Sequence, residues 1–110
     1  MITYNLTLED MPSKDKKLSN IAKVQNMKSL RSHNAIANQF VITLQNGIEV
    51  FQSYNSIIAV KANNETYLDQ NRWNYSRTTS RYRNQFLNET TVETVKKIGF
   101  GNYAMVDLNK

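Results

Sequence analysis

Residues 39–70 read QFVITLQNGIEVFQSYNSIIAVKANNETYLDQ, and this stretch decides the fold. Apolar and polar residues alternate on both sides of Asn46-Gly47, a dipeptide whose tolerance of positive φ makes it the strongest short hairpin signal. Taken as a two-residue turn, it sets Ile42 against Phe51 and Thr43 against Val50, across strands at residues 39–45 and 48–54. Asn63-Asn64 marks a second two-residue turn, since asparagine accepts left-handed φ. It joins a strand over residues 56–62 to one over 65–70 and sets Val60 against Tyr67 and Ala59 against Leu68. Four consecutive strands in antiparallel meander order follow from these two turns.

On the N-terminal side, Ile2, Tyr4, Leu6 and Leu8 alternate with polar residues, the pattern of a half-buried strand, before Pro12 interrupts regular structure. Leu18, Ile21, Val24, Met27 and Leu30 recur at every third position, which predicts a helix over residues 14–31, and Ser32-His33-Asn34 reads as a loop. On the C-terminal side, Ser76 or Thr78 caps a helix reaching about Asn88. Tyr75, Thr79, Tyr82 and Phe86 lie on one face of it, and Arg77, Arg81, Asn84 and Asn88 on the other. A second helix over residues 91–98 is expected to bury Val92, Val95 and Ile98, with Gly99 as its left-handed cap and Phe100 in the core. Residues 102–108 alternate again as a last strand. The expected fold is α+β: a four-stranded antiparallel meander plus terminal strands, with two or three helices packed on one face, and one domain over residues 1–110.

Composition narrows the chemistry. The chain has 110 residues, 14 Lys and Arg against 9 Asp and Glu, and a net charge of +5. It contains no cysteine, which removes disulfides, thiol catalysis and cysteine-based metal sites together. His33 is the only histidine; beside Ser32 in a loop it lacks the geometry of a catalytic triad, and no metal or cofactor is expected. Gly99-Phe100-Gly101 lacks the lysine of a phosphate-binding loop. The same stretch differs from an RNA-recognition box in having Asn102 where an aromatic should stand. No apolar run approaches the roughly 18–20 residues that span a bilayer, and residues 1–10 do not read as a signal peptide, so a cytoplasmic protein without a membrane partner is expected. Asparagine is abundant, at 15 residues, which an AT-rich coding sequence would explain.

The basic residues are segregated. Lys14, Lys16, Lys17, Lys23, Lys28 and Arg31 crowd the first expected helix. Arg72, Arg77, Arg81 and Arg83 fall in an acid-free stretch interleaved with Trp73, Tyr75 and Tyr82. Forked guanidiniums beside aromatics suit phosphates and protein hot spots alike. The plain structural reading takes Trp73 into the core and places Arg83 nearer the buried side. Arg77 and Arg81, four residues apart on an exposed face, are the leading partner- or phosphate-binding residues, followed by Arg72, Arg83 and Asn84.

Trp73-Asn-Tyr-Ser-Arg-Thr-Thr79, leading into a helix that ends Phe86-Leu87, resembles a family of small uncharacterised proteins from phages and prophages of low-GC bacteria. Phe51-Gln-Ser-Tyr54 and Ile57-Ile-Ala59 lie upstream at the spacing of that family, so the resemblance covers about residues 39–88. It implies a phage-encoded accessory protein in the bacterial host cytoplasm. The resulting expectation is a non-enzymatic inhibitor of a bacterial defence system, of the anti-CRISPR or another anti-defence kind. It would bind a host defence protein or that protein's nucleotide or nucleic-acid ligand. The alternative is a nucleic-acid-binding accessory or regulatory protein using the same basic surface. A homodimer is compatible with either.

Overall fold

A computed structural model describes residues 21–109. Among these the chain forms β1 (Ile21–Lys28), β2 (Ala35–Leu44), β3 (Glu49–Ser53), β4 (Ser56–Ala62), β5 (Glu65–Asp69), α1 (Arg77–Leu87), α2 (Thr91–Gly99) and β6 (Tyr103–Val106). The strands make one sheet in chain order, β1 through β6. The pairs from β1 to β5 are antiparallel, and β6 runs parallel to β5 because α1 and α2 carry the chain back to the end of the sheet where β5 begins before it adds beside β5. The α+β meander is therefore as the turns foretold, with one parallel pair that they did not.

Both signalled turns exist, with one difference in register. Asn63-Asn64 is a two-residue loop between Ala62 and Glu65, Asn63 has φ 55, and Val60 faces Tyr67 as expected. The Asn46-Gly47 turn holds three residues, not two: Leu44 N–H donates to Ile48 O at 2.8 Å, and Gly47 N–H to Leu44 O at 2.9 Å. Gly47 takes φ 90, the left-handed bulge residue of a three-residue hairpin loop. The register consequently slips by one, pairing Ile42 with Val50 and Val41 with Phe51. This slip is what keeps each face apolar. One row across the sheet runs Ile42, Val50, Val60, Tyr67, Ala104, and the row on the other face runs Val41, Phe51, Ala59, Leu68, Met105.

The expected helix over residues 14–31 is corrected: where the structure describes it, the segment is strand β1. A register irregularity between Ile21 and Lys23 brings Ile21 and Val24, three residues apart, onto one face of the sheet. An extra residue there flips the alternation, so Ile21 packs on one face of the sheet and Met27 on the other. Residues 14–20 of that helix and the strand expected over residues 1–8 lie outside the described residues.

The helices cover the Phe51–Leu68 face. Phe86 of α1 stacks on Phe51 with ring centroids 5.7 Å apart, and Tyr82, Leu87, Ile98 and Trp73 close around them. Trp73 is thus part of the core edge, as its size suggested. Asp69, fully buried at the end of β5, accepts from the N–H groups of Asn71, Arg72 and Leu108. That carboxylate starts the turn towards α1 and fastens the chain leaving β6.

Two expectations about α2 fail. Val92 and Val95 point outward and Phe100 is 80% exposed, whereas Thr94 is the fully buried residue. The left-handed cap is Gly101, with φ 79, not Gly99. Asn102 N–H reaches Lys97 O and Gly101 N–H reaches Ile98 O, the paired bonds that close a helix over a left-handed residue.

Candidate functional site

A single serine organises one wall of the site. Ser29 Oγ accepts from the N–H groups of Arg31 and Ser32, while Ser29 O accepts from His33 N–H at 2.9 Å. These bonds fold residues 29–34 into a tight turn between β1 and β2, with His33 at φ 63. Leu30 and Arg31 stand at its tip, exposed.

The opposite wall is α1. Ser76 caps it through Thr79 N–H, and no acid lies in its first turn. Inside the helix Arg83 is fully buried over the Trp73 ring, 5.1 Å from its centroid. Arg83 Nη1 donates to Trp73 O and Asn74 Oδ1, and Nη2 to Asn84 Oδ1 and Thr91 Oγ1, at 2.6–3.0 Å. Burial lowers its pKa, while the nearby Glu89 charge works the other way. Gln85 Nε2 donates to Lys28 O at 2.7 Å, fastening α1 to the end of β1.

Asn88, left-handed at φ 58, ends α1, and Glu89 forms the corner to α2. The Glu89 carboxylate accepts from Thr94 Oγ1 at 2.6 Å, Lys97 Nζ at 2.7 Å and Tyr103 Oη at 2.8 Å. Burial raises its pKa, but the hydrogen bonds from Lys97, Thr94 and Tyr103 outweigh that and hold it below the usual carboxylate value. Thr90 and Glu93 then exchange capping bonds at the start of α2.

Between these walls lies an open cleft of about 720 Å³. Leu30 and Arg31 line one side, Arg81, Tyr82, Asn84, Gln85 and Asn88 the other, and Glu89, Thr90 and Glu93 the end. Neither Arg31 nor Arg81 makes an ion pair among the described residues, whereas Glu89 is matched by Lys97 and Glu93 is engaged in capping. Two guanidiniums without ion pairs among the described residues, Arg81 lying 5.8 Å from the Tyr82 ring centroid, can bind carboxylates and peptide carbonyls beside the exposed Asn88 amide.

The arginines and the asparagine expected from sequence separate here. Arg81 enters the cleft; Arg77 is exposed at the first position of α1, outside the lining. Asn84 lines the cleft, but its amide is held by Arg83 and Thr91. Arg72 is half-buried with Nη1 3.8 Å from Asp69. Arg83 is corrected from a binding residue to an internal one, because its hydrogen bonds all lie within the protein. Arg31 was overlooked as a site residue because its segment read as a helix; the turn residues Ser29, Ser32 and Asn34 were the available signal. Among the described residues, no three His, Asp or Glu side chains cluster closely enough to hold a metal, and no helix is long and apolar enough to cross a membrane.

Residues 22–102 match the model of one protein family, described as a family of unknown function, DUF8033. No curated protein and no solved structure matches.

Proposed function

The chain belongs to the DUF8033 family, a family of unknown function, and from that premise we propose that it is a non-catalytic binding protein, phage-encoded and acting in the bacterial host cytoplasm. It blocks a host defence protein by gripping an acidic, extended segment of that protein in the cleft between the β1–β2 turn and α1. The observation that carries this reading is the convergence of Arg31, from the β1–β2 turn, and Arg81, from α1, on one cleft, neither of them in an ion pair among the described residues. The exposed Asn88 amide beside them suits a peptide backbone. The phage setting rests on the resemblance carried by residues 39–88, a span inside the family match.

A second reading, nucleic-acid binding, is favoured by one observation: Arg77, Arg81 and the half-exposed Tyr75 form an acid-free rim along α1. Glu93 at the end of the cleft repels phosphate and acidic side chains alike, so an acidic contact of either kind falls at the Arg31 and Arg81 part of the cleft.

The test compares Arg31→Glu/Arg81→Glu and Arg77→Glu/Arg81→Glu with the parent. Each charge-assisted contact is worth about 1.5–3 kcal/mol, so either pair should lose several kcal/mol of binding if its arginines carry the contact. Stability should stay within about 0.5 kcal/mol, because all three side chains are exposed. Loss of host-protein capture only in the first variant supports the cleft. Steeply salt-dependent binding of mixed-sequence DNA or RNA, lost in the second variant, supports the alternative. Unchanged host-protein capture by both folded variants overturns the cleft reading.

A further inference from the structure

The cleft between the β1–β2 turn and α1 is electrically two-sided. Arg31 and Arg81 line one part of it and Glu93 lines its end; all three are exposed, and none is in an ion pair among the described residues. Glu89 also reaches the lining, but its carboxylate is taken up by Thr94, Lys97 and Tyr103. Glu93 differs. Its Oε1 accepts from Thr90 N–H at 2.8 Å in the capping box, and its Oε2 makes no hydrogen bond among the described residues. Capping needs only one acceptor, so Glu93 keeps a charge and an open oxygen for something else.

This arrangement sorts the possible occupants. A polyanion carries the same charge at every step, so a strand that reaches both arginines and runs on along the cleft brings phosphate against Glu93, where it is repelled. A uniformly acidic peptide meets the same obstacle. A peptide whose charge changes sign does not. The volume of about 720 Å³ lies in the range of small-ligand sites, so the acid and the base must fall on one short segment. Leu30, 78% exposed at the tip of the turn, and half-buried Tyr82 also line the cleft and offer that segment apolar contact.

We propose, resting on the reading of this cleft as a peptide site, that the segment it takes carries both signs of charge. An Asp or Glu side chain is held by Arg31 and Arg81, and a Lys or Arg side chain a few residues away donates to the open oxygen of Glu93. Because Glu93 is exposed, its pair contributes selectivity more than affinity: the base is favoured roughly two- to fivefold over a neutral residue. Acidic segments lacking the base, or continuing the acid, are disfavoured by the same carboxylate.

Resin-bound random heptapeptides, capped at both ends so that no terminal charge competes, are sorted for binding to the labelled full chain. The parent should enrich sequences that hold both an acid and a base. Glu93→Gln keeps the capping acceptor, so it should melt like the parent, still enrich acids and no longer enrich bases. Arg31→Gln/Arg81→Gln should lose the enrichment of acids. Calorimetric titration then compares one enriched lysine peptide with its lysine-to-alanine counterpart. The parent should prefer the first by two- to fivefold, and Glu93→Gln should bind both alike. If Glu93→Gln melts well below the parent, the parent's own preference between the two peptides decides. Enrichment of acids without bases, or a lysine preference that survives in folded Glu93→Gln, overturns this proposal and leaves the cleft an acid-binding site. Acids not enriched by the parent, or enriched equally by Arg31→Gln/Arg81→Gln, overturn the cleft reading beneath it as well.

Discussion

Replacing Glu89 by Gln tests whether the corner that frames the cleft is held by one buried carboxylate. The Glu89 side chain is 3% exposed and ties three elements together: the end of α1 that carries it, Thr94 and Lys97 of α2, and Tyr103 of β6. The amide removes the charge and turns an N–H₂ towards groups that are themselves donors. A hydrogen bond to a charged group contributes about 1.5–3 kcal/mol, and the hydroxyls of Thr94 and Tyr103 make two that are shielded from water. Since Gln retains one acceptor oxygen, the expected loss is about 2–3 kcal/mol at pH 7; the bond to exposed Lys97 is left out of that figure. The pH dependence follows from the direction of the shift. The folded-state pKa lies below the ordinary carboxylate value of 4.5, so the unfolded chain binds the proton first. The stabilisation is complete above the unfolded pKa and fades as pH falls through the folded one. Urea denaturation of both proteins between pH 7 and pH 2 should therefore show a difference that shrinks below about pH 4.5. A difference under about 0.5 kcal/mol at pH 7, or one that grows on acidification, refutes the argument.

Arg83→Met should cost about 3 kcal/mol or more, because Trp73 O, Asn74 and Asn84 lose their shared buried donor, and Arg83→Lys should not rescue it since one ammonium cannot fork to four acceptors; thermal melts decide, and a loss below about 1 kcal/mol contradicts it. Gln39 is fully buried with neither amide atom bonded among the described residues, so Gln39→Met should leave stability unchanged or raise it by about 1 kcal/mol in denaturant titrations. Gly47→Ala should lose about 1 kcal/mol through its φ of 90 although no side-chain clash awaits it, and a neutral result in the same titration would mean that the loop re-forms as a different turn.

The meander was legible because its two turns carry residues with a backbone reason to be there, and Asn63 and Gly47 do take positive φ. The same rule finds further cases that no dipeptide announced: Asn38 at φ 65 and Asn88 at φ 58 also sit where left-handed backbone is needed. Part of the asparagine abundance is therefore structural. The register at Asn46-Gly47 was not legible, since two- and three-residue loops draw on the same residues and only the apolar rows on both faces separate them. Strand β1 was misread for a related reason. Periodicity assumes an unbroken alternation, and one extra residue near Ala22 puts Ile21 and Val24 three apart on one face, as they would be on a helix. Of the site, Arg81 was visible as an exposed arginine on a helix, but its partner across the cleft was not, because Arg31 reaches it only through the turn that replaces that helix.

The helices show why burial was the least legible property. An amphipathic reading sends valines inward and charges outward, yet the faces of α1 and α2 turned to the sheet and to each other hold Thr79, Arg83, Thr94 and the Glu89 carboxylate. Ser53 Oγ lies 3.0 Å from Thr79 Oγ1, so even the contact of α1 with β3 includes a buried hydroxyl pair. A hydrogen-bonded network of this kind adds less stability than apolar packing would, but it accepts only one orientation of the helices, whereas greasy faces slide. That orientation is what the cleft needs, since Arg81 and Glu93 stand on different helices and face it together only at the angle that Arg83 and Glu89 impose. The exchange has a second consequence. With polar groups sharing the inner faces with Phe86 and Ile98, Val92, Val95 and Phe100 are left outside, where each gives up part of the roughly 1.5–3 kcal/mol that full burial of a large apolar side chain provides. Part of that loss is recovered only where another surface covers them, so the polar interior of the helical layer and the apolar exterior of α2 are two sides of one arrangement.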